Sequence, residues 1–348
     1  MTIAHQTLSI RTGIAAQYSR YTQSWEGMTT AHHSAALTGT LCSAMVQPVI
    51  LANGSVERSA PPWSWTAVAD LIRLRNQSGT WLLMLPSLWS LTLANQGRPP
   101  LLLLGVFALG AFVMRSLGVV FNDLADRNFD KHVARTSSRP LAVGRLAPRQ
   151  ALLVALALAI VAALLVWTLN TFTILLSPIA LFLAAIYPFS KRWIQLPQAV
   201  LGIAFGWGAI MAWSASRGTI DRPAWLIFAA TVCWAIAYDT IYALQDREDD
   251  RRIGVKSSAL LFGEAVPEAV GLFLFGMVIC LVSAGQSSGL RMGYYLVLAL
   301  LTGLFVRQVL RLRAPITPHA AFVMFQQHVY AGAAVLFGIW IGTCENMR

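Results

Sequence analysis

The chain alternates between long apolar stretches and short polar connections. Nine stretches stand out: roughly Gly79–Asn95, Pro100–Phe121, Ala151–Leu169, Phe172–Pro188, Pro197–Ser216, Pro223–Leu244, Ala265–Ala284, Met292–Phe305 and Ala320–Thr343. Most approach the ~20 residues that a helix needs to cross a bilayer. The pattern predicts an all-α integral membrane protein, a bundle of about nine transmembrane helices, in one domain from residue 71 to 348. The preceding segment reads differently. Residues 1–60 are rich in Ser and Thr, weakly periodic, and hold only two acids, Glu26 and Glu57. The short apolar run Leu41–Ala52 is broken by Gln47 and Pro48, and without an adjacent basic region it lacks a signal-peptide layout. Residues 1–70 are therefore expected to be a disordered N-terminal extension that takes no part in chemistry.

Composition strengthens the membrane reading. The chain is 56% hydrophobic and 12% charged, with a mean hydropathy of +0.59, whereas soluble domains carry about 25% charged residues. A net charge of +11 brings nucleic acid to mind, but the basic residues sit in short loops between apolar stretches, where topology accounts for them. The loops after the second, fourth, sixth and eighth stretches hold 15 Lys and Arg, and the intervening loops only Arg98, Arg217, Arg222 and Arg291. The first set is expected to face the cytoplasm together with the N-terminus. No nucleic acid and no obligate protein partner are expected. Cys42, Cys233, Cys280 and Cys344 are scattered with no C-x-x-C pair, so neither a disulfide framework nor a zinc site is predicted.

Seven of the 15 acids fall in two clusters, Asn122-Asp123-Leu124-Ala125-Asp126-Arg127-Asn128-Phe129-Asp130 and Asp246-Arg247-Glu248-Asp249-Asp250. They end the second and sixth stretches. Four spans separate those ends, so both clusters emerge on the same side of the membrane. Asn122, Asp126 and Asp130 are four apart, as are Asp246 and Asp250, which stacks each set on one helix face. Like charges so spaced repel, and two facing stacks call for a cation between them. Oxygen ligands that leave room for water and phosphate suit Mg²⁺. Arg139, Lys191, Arg192 and Lys256 lie in loops on the same side and are candidates to neutralise a phosphate-bearing substrate. Arg115 lies inside the second stretch and Asp239 inside the sixth, where an ionisable residue is read as functional by default.

At these residues the sequence resembles the 4-hydroxybenzoate polyprenyltransferases of the UbiA superfamily. Asn122, Asp123, Asp126 and Asp130 match the family's N-D-x-x-D-x-x-x-D motif. Tyr238, Asp239, Tyr242, Ala243, Asp246 and Asp250 match its second motif. Arg135-Thr136, Arg139-Pro140-Leu141, Tyr187-Pro188, Lys191-Arg192, Leu196-Pro197-Gln198, Phe205-Gly206-Trp207 and Ile253-Gly254-Val255-Lys256-Ser257-Ser258 extend the likeness from roughly Arg73 to the C-terminus. One departure stands at the entry to the first span. Asn76-Gln77-Ser78-Gly79 keeps the family's Gly and lacks its basic residue and Pro.

The resemblance implies Mg²⁺-dependent transfer of a polyprenyl group from its diphosphate to 4-hydroxybenzoate, an early step of ubiquinone or plastoquinone biosynthesis. It further implies a bacterial inner membrane or thylakoid location with the site on the cytoplasmic side. Asp123, Asp126, Asp246 and Asp250 are then the catalytic metal ligands, supported by Asn122 and Asp130. Arg115, Arg139, Lys191, Arg192, Tyr238, Asp239 and Lys256 are substrate-binding, with Arg192 favoured over Arg115 for the aromatic carboxylate. Trp81, Trp207, Trp213 and Tyr238 are candidates to line the prenyl path. Another acceptor such as homogentisate is the alternative within the superfamily. A CDP-alcohol phosphotransferase is disfavoured because neither cluster holds Asp-Gly. A cation-coupled transporter is disfavoured because the acids lie at span ends rather than midspan.

Overall fold

The computed structural model describes residues 49–50, 56–57, 61–133 and 135–344. The chain divides into two units, Met1–Ser59 and Ala60–Arg348. Within the first, Val49–Ile50 pairs antiparallel with Val56–Glu57; the expectation of disorder for most of residues 1–60 lies outside the described residues. The second unit is helical. Its elements are α1 (Trp65–Leu71), α2 (Ser78–Ala94), α3 (Leu101–Asp126), α4 (Pro148–Trp167), α5 (Thr171–Trp193), α6 (Pro197–Arg217), α7 (Arg222–Ala243), α8 (Arg247–Ile253), α9 (Ser258–Phe262), α10 (Val266–Ser287), α11 (Met292–Leu312) and α12 (Pro318–Cys344).

Among the described residues eight segments are long and apolar enough to cross a membrane: α3 to α7, the run Ser258–Ser287, α11 and α12. With α2 they account for the nine stretches of the sequence. α2 has 17 residues, about 26 Å of helix at 1.5 Å per residue, which is the short end of the spanning range. The N-terminal boundary needs correcting. Helical structure begins at Trp65, inside the segment read as an extension. Ser64 caps α1 by accepting from the Ala67 N–H, and Ala67 and Leu71 are buried against Leu117, Val120, Leu141 and Leu146. A helix of seven residues spans too few turns to leave a clear period in the sequence.

The packed heart is α7. Pro223 opens it, where a missing N–H costs nothing, and α6, α10, α12 and α2 surround it. Gly202 and Gly206 on α6 bring the two backbones together: a Cβ at Gly202 would stand 2.9 Å from the Val232 Cα, and one at Gly206 2.8 Å from the Phe228 ring. This is the small-residue approach by which membrane helices pack without a hydrophobic drive between them. Two buried indoles inside this half find partners. The Trp234 indole donates to His328 Nδ1 at 2.9 Å, and the Trp89 indole to the Gly332 carbonyl at 2.8 Å. On the other side α3 and α4 share a smaller core around Leu117, Val120, Ala151 and Val154, and together with α5 they flank open space.

Candidate active site

A cavity of about 720 Å³ runs between these halves. Its body is apolar and lined by small side chains, among them Gly110, Ala111, Gly118, Ala163, Ala184 and Gly208. Residues between Phe107 and Asn122 on α3 face it, a rise of about 22 Å at 1.5 Å per residue. Its other end is ionic and carries Arg73, Arg115, Asn122, Asp123, Arg135, Arg139, Lys191 and Asp239, with Tyr187, Tyr238 and Tyr242.

The first acidic motif divides at the end of α3. Asn122, Asp123 and Asp126 occupy the last helical turn, while Asp130 falls in a separate 3-10 turn, Asp130–His132. The helical stacking expected of Asp130 is thus interrupted. It folds back instead, 6% exposed, and accepts two bonds from Arg139 at 2.9 and 3.0 Å. Arg139 also stands 3.0 Å from Asp123. Asp123, 1% exposed, takes both of its oxygens to Arg73 at 2.8 and 3.0 Å. Arg73 reaches it from a left-handed backbone, φ +57°, which a residue with a side chain adopts only at some cost. Gln77 braces that turn by donating to the carbonyls of Arg73 and Leu74, both at 3.0 Å. Lys191 at the end of α5 lies 3.6 Å from Asp126 and 3.4 Å from the Asn122 side-chain oxygen.

The second motif begins inside α7, and its acidic cluster lies just past the helix end. Asp246 caps α8, and the Asp250 N–H donates to the Asp246 carbonyl at 2.8 Å, so the two acids remain one turn apart. Burial and the neighbouring Asp246 charge raise the Asp250 carboxyl to about 6, a like-charge strain that a cation would relieve. Arg135 spans from the loop after the first motif to Asp246 with bonds of 2.5 to 3.1 Å, and donates to the Tyr242 hydroxyl at 3.0 Å. Burial works against its charge, yet these bonds hold its pKa above the ordinary arginine value. Downstream of the motif, Ser258 donates to the Gln198 side chain and bonds the Thr240 hydroxyl, fixing the loop to α6 and α7.

Seven of the residues singled out from the sequence line the cavity: Arg115, Asn122, Asp123, Arg139, Lys191, Tyr238 and Asp239. Asp126, Asp130, Asp246 and Asp250 stand outside its wall. Two basic residues are engaged elsewhere. Arg192 donates to the Ala125 carbonyl at 2.9 Å and lies 5.5 Å from the rings of Phe129 and of Phe189. Lys256 donates to the Trp193 carbonyl at 3.0 Å, completing the C-terminus of α5. Of the four aromatics considered for the prenyl path only Tyr238 lines the cavity; Trp207 and Trp213 donate to the Leu176 carbonyl and to Asp221. Arg115 forms no ion pair with the described residues, and it lies against Gly79, where a Cβ would collide with its guanidinium. Asp239 opens onto the cavity with no hydrogen bond to the described residues. Sequence reasoning did not single out Arg73, Arg135, Tyr187 or Tyr242 for the site, although the last three fall inside matched motifs.

The donor set is all oxygen, as Mg²⁺ prefers. Among the described residues no three acids converge closely enough to hold an ion by themselves. That accords with the habit of Mg²⁺ to be bound through one or two carboxylates together with substrate phosphates.

Comparison with known proteins gives a consistent result. Residues 83–342 match the model of the UbiA prenyltransferase family. The chain is 44% identical over 287 residues to the 4-hydroxybenzoate octaprenyltransferase of Pectobacterium carotovorum subsp. carotovorum, covering 82% of this chain and 100% of that protein. It is 46% identical over 273 residues to the enzyme of the same name from Aeromonas salmonicida, covering 78% and 94%. Among solved structures it resembles a UbiA homolog from Aeropyrum pernix, with a TM-score of 0.62, 26% identity and coverage of 77% and 98%. It shares its fold with a UbiA homolog from Archaeoglobus fulgidus bound to GPP and Mg²⁺, with a TM-score of 0.54, 17% identity and coverage of 78% and 99%.

Proposed function

This chain belongs to the UbiA prenyltransferase family, and from that membership we propose that it transfers a polyprenyl group from its diphosphate to 4-hydroxybenzoate, at the ring carbon ortho to the hydroxyl. The curated relatives point to an octaprenyl donor and to ubiquinone as the destination. The observation that carries the reading is one continuous cavity with an ionic end and an apolar body. It suits a donor whose two halves differ in the same way. The basic loops support a reading in which the ionic end faces the cytoplasmic side of a bacterial inner membrane.

Asp123, Asp126, Asp246 and Asp250, with Asn122 and Asp130, are the residues to hold Mg²⁺. When bound, the ion offsets negative charge on the diphosphate. Arg73, Arg139, Arg135 and Lys191 stand at the same end to neutralise the phosphate oxygens as the allylic C–O bond breaks and its electron pair leaves with the diphosphate. The apolar wall keeps water from the allylic cation, which would otherwise be quenched to an alcohol. Arg115, in no ion pair with the described residues and open to the cavity, clamps the aromatic carboxylate through two parallel bonds. This replaces Arg192, whose guanidinium is engaged on the Ala125 carbonyl. The ring carbon then forms the new C–C bond and gives up its proton. Asp239 on the cavity wall accepts that proton, so the net release is one diphosphate and one proton.

Membranes containing the chain, offered 4-hydroxybenzoate or homogentisate with prenyl diphosphates of several lengths, test the proposal. 3-Polyprenyl-4-hydroxybenzoate is expected only with Mg²⁺ present, and chelation should abolish it reversibly. Product from homogentisate alone would transfer the reading to another acceptor. Prenyl-independent cation uptake into sealed vesicles would replace it with transport.

A further inference from the structure

The reaction yields two products of opposite character. The prenylated ring is apolar and can leave into lipid, whereas diphosphate is multiply charged and cannot. It must reach water by another way. Beside the ionic end of the cavity lies a second, polar pocket of about 310 Å³, lined by Asp70, Arg73, Arg135, Ser138, Arg139 and Pro140. Its size is roughly ten times a water molecule's share of liquid volume, room for a hydrated phosphate group. Three of its residues, Arg73, Arg135 and Arg139, also line the main cavity. They form a partition of guanidinium groups with the reaction chamber on one side and the loop-side pocket on the other.

We propose that this pocket is a vestibule that binds inorganic diphosphate on its way out, handed through the partition by the three arginines. The inference rests on the transfer reading above, since only a reaction that releases diphosphate needs the exit. The vestibule is lined by three arginines and one acid, Asp70, which is paired with Arg145. The arginines are in turn paired with Asp123, Asp130 and Asp246, so an entering diphosphate engages the donors that those carboxylates leave over. The partition is suited to a handover. Each arginine has a long stem and several donors, so it can keep one bond to a carboxylate while another group turns to phosphate. Arg73 already divides its donors between the Asp70 carbonyl and Asp123, and Arg139 between Asp123 and Asp130.

Ser138 separates the vestibule from the chamber. It is exposed, lines the vestibule and does not line the cavity. In the purified full chain with Mg²⁺ and no aromatic acceptor, binding of inorganic diphosphate is measured by calorimetry for Ser138→Glu and Ser138→Lys. The KM for prenyl diphosphate is measured separately by turnover. Ser138→Glu should weaken diphosphate binding about fivefold to tenfold, the change a single added charge near a charged ligand brings about (~1 kcal/mol,), and Ser138→Lys should tighten it. The KM for prenyl diphosphate should stay within twofold of the unaltered chain in both. Unchanged binding in both variants, a shift of the same sign in both, or a parallel shift of binding and KM would overturn the vestibule. Since the calorimetry needs no acceptor, failure of the transfer reading would appear instead as missing product in the unaltered chain.

Discussion

Helices α7 and α4 are both apolar spans, and they occupy opposite situations. α4 is the most apolar span of the protein, with only 17% of its apolar stretch buried, and its neighbour α5 has 11%. α7 is among the less apolar spans, carrying Thr231, Tyr238, Asp239 and Thr240, yet 61% of its stretch is buried inside the protein. Hydropathy in a membrane chain thus reports contact with lipid rather than depth in the fold, because lipid tails are as apolar as Leu and give no drive toward the interior. The more buried helix carries hydroxyls and a carboxylate: Thr231 and Thr240 bond carbonyls one turn back on α7, and Asp239 faces the cavity. The division is also functional. The half around α7 is packed, and the cavity lies between it and α3, α4 and α5.

The largest expected effect separates the halves by stability. Trp234 on α7 is fully buried, stacks near Trp89 and Tyr238 and donates to His328. Trp234→Ala should cost about 3–5 kcal/mol, read as a fall in thermal unfolding temperature in detergent. A change of less than 1 kcal/mol would mean that the packed half is not the stabilising one. Next, Asp126→Ala should lower turnover by roughly 10²–10³-fold while the unfolding temperature stays within a few degrees. Near-normal turnover would remove the first motif from the chemistry.

These two residues also mark how far the sequence could be read. The motif acids were legible because chemistry there demands particular residue types at fixed spacing, and the ends of two spans four apart had to share a side. Arg115 was legible because a charge inside a span needs a reason. The acids' partners were not. Arg73 meets Asp123 across 50 positions, Arg135 meets Asp246 across 111, and no local pattern encodes a pairing of that range. Arg192 shows the same limit from the other side. Its type and its loop suggest a substrate-binding role, and its neighbours Phe129 and Phe189 and the Ala125 carbonyl could not be read from the sequence. The helix at Trp65–Leu71 escaped because its burial depends on Leu117 and Leu141, far along the chain.

A smaller effect tests the cavity itself. Arg115→Lys should raise the KM for 4-hydroxybenzoate roughly tenfold, about 1.4 kcal/mol, because an ammonium cannot grip a carboxylate through two parallel bonds. The KM for prenyl diphosphate should not change. The reverse pattern would move Arg115 to the diphosphate. The smallest expected effect returns to α4. Leu156 is 58% exposed, so Leu156→Ala should shift stability by no more than about 0.5 kcal/mol in unfolding experiments. A loss comparable to that of Trp234→Ala would show that the lipid-facing half carries stability that its sparse packing does not suggest.

The notch at Gly79 has an evolutionary consequence. A side chain at that position and the guanidinium of Arg115 compete for one volume, so the two sites are bound by epistasis. Substitution at 79 alone displaces the cation proposed to face the acceptor, and substitution at 115 alone leaves a hole beside the cavity. A lineage changing its aromatic acceptor has to pass through both positions together, or through an intermediate that binds neither ring well. Paired libraries at 79 and 115, selected on different carboxylated phenols, should return correlated rather than independent solutions.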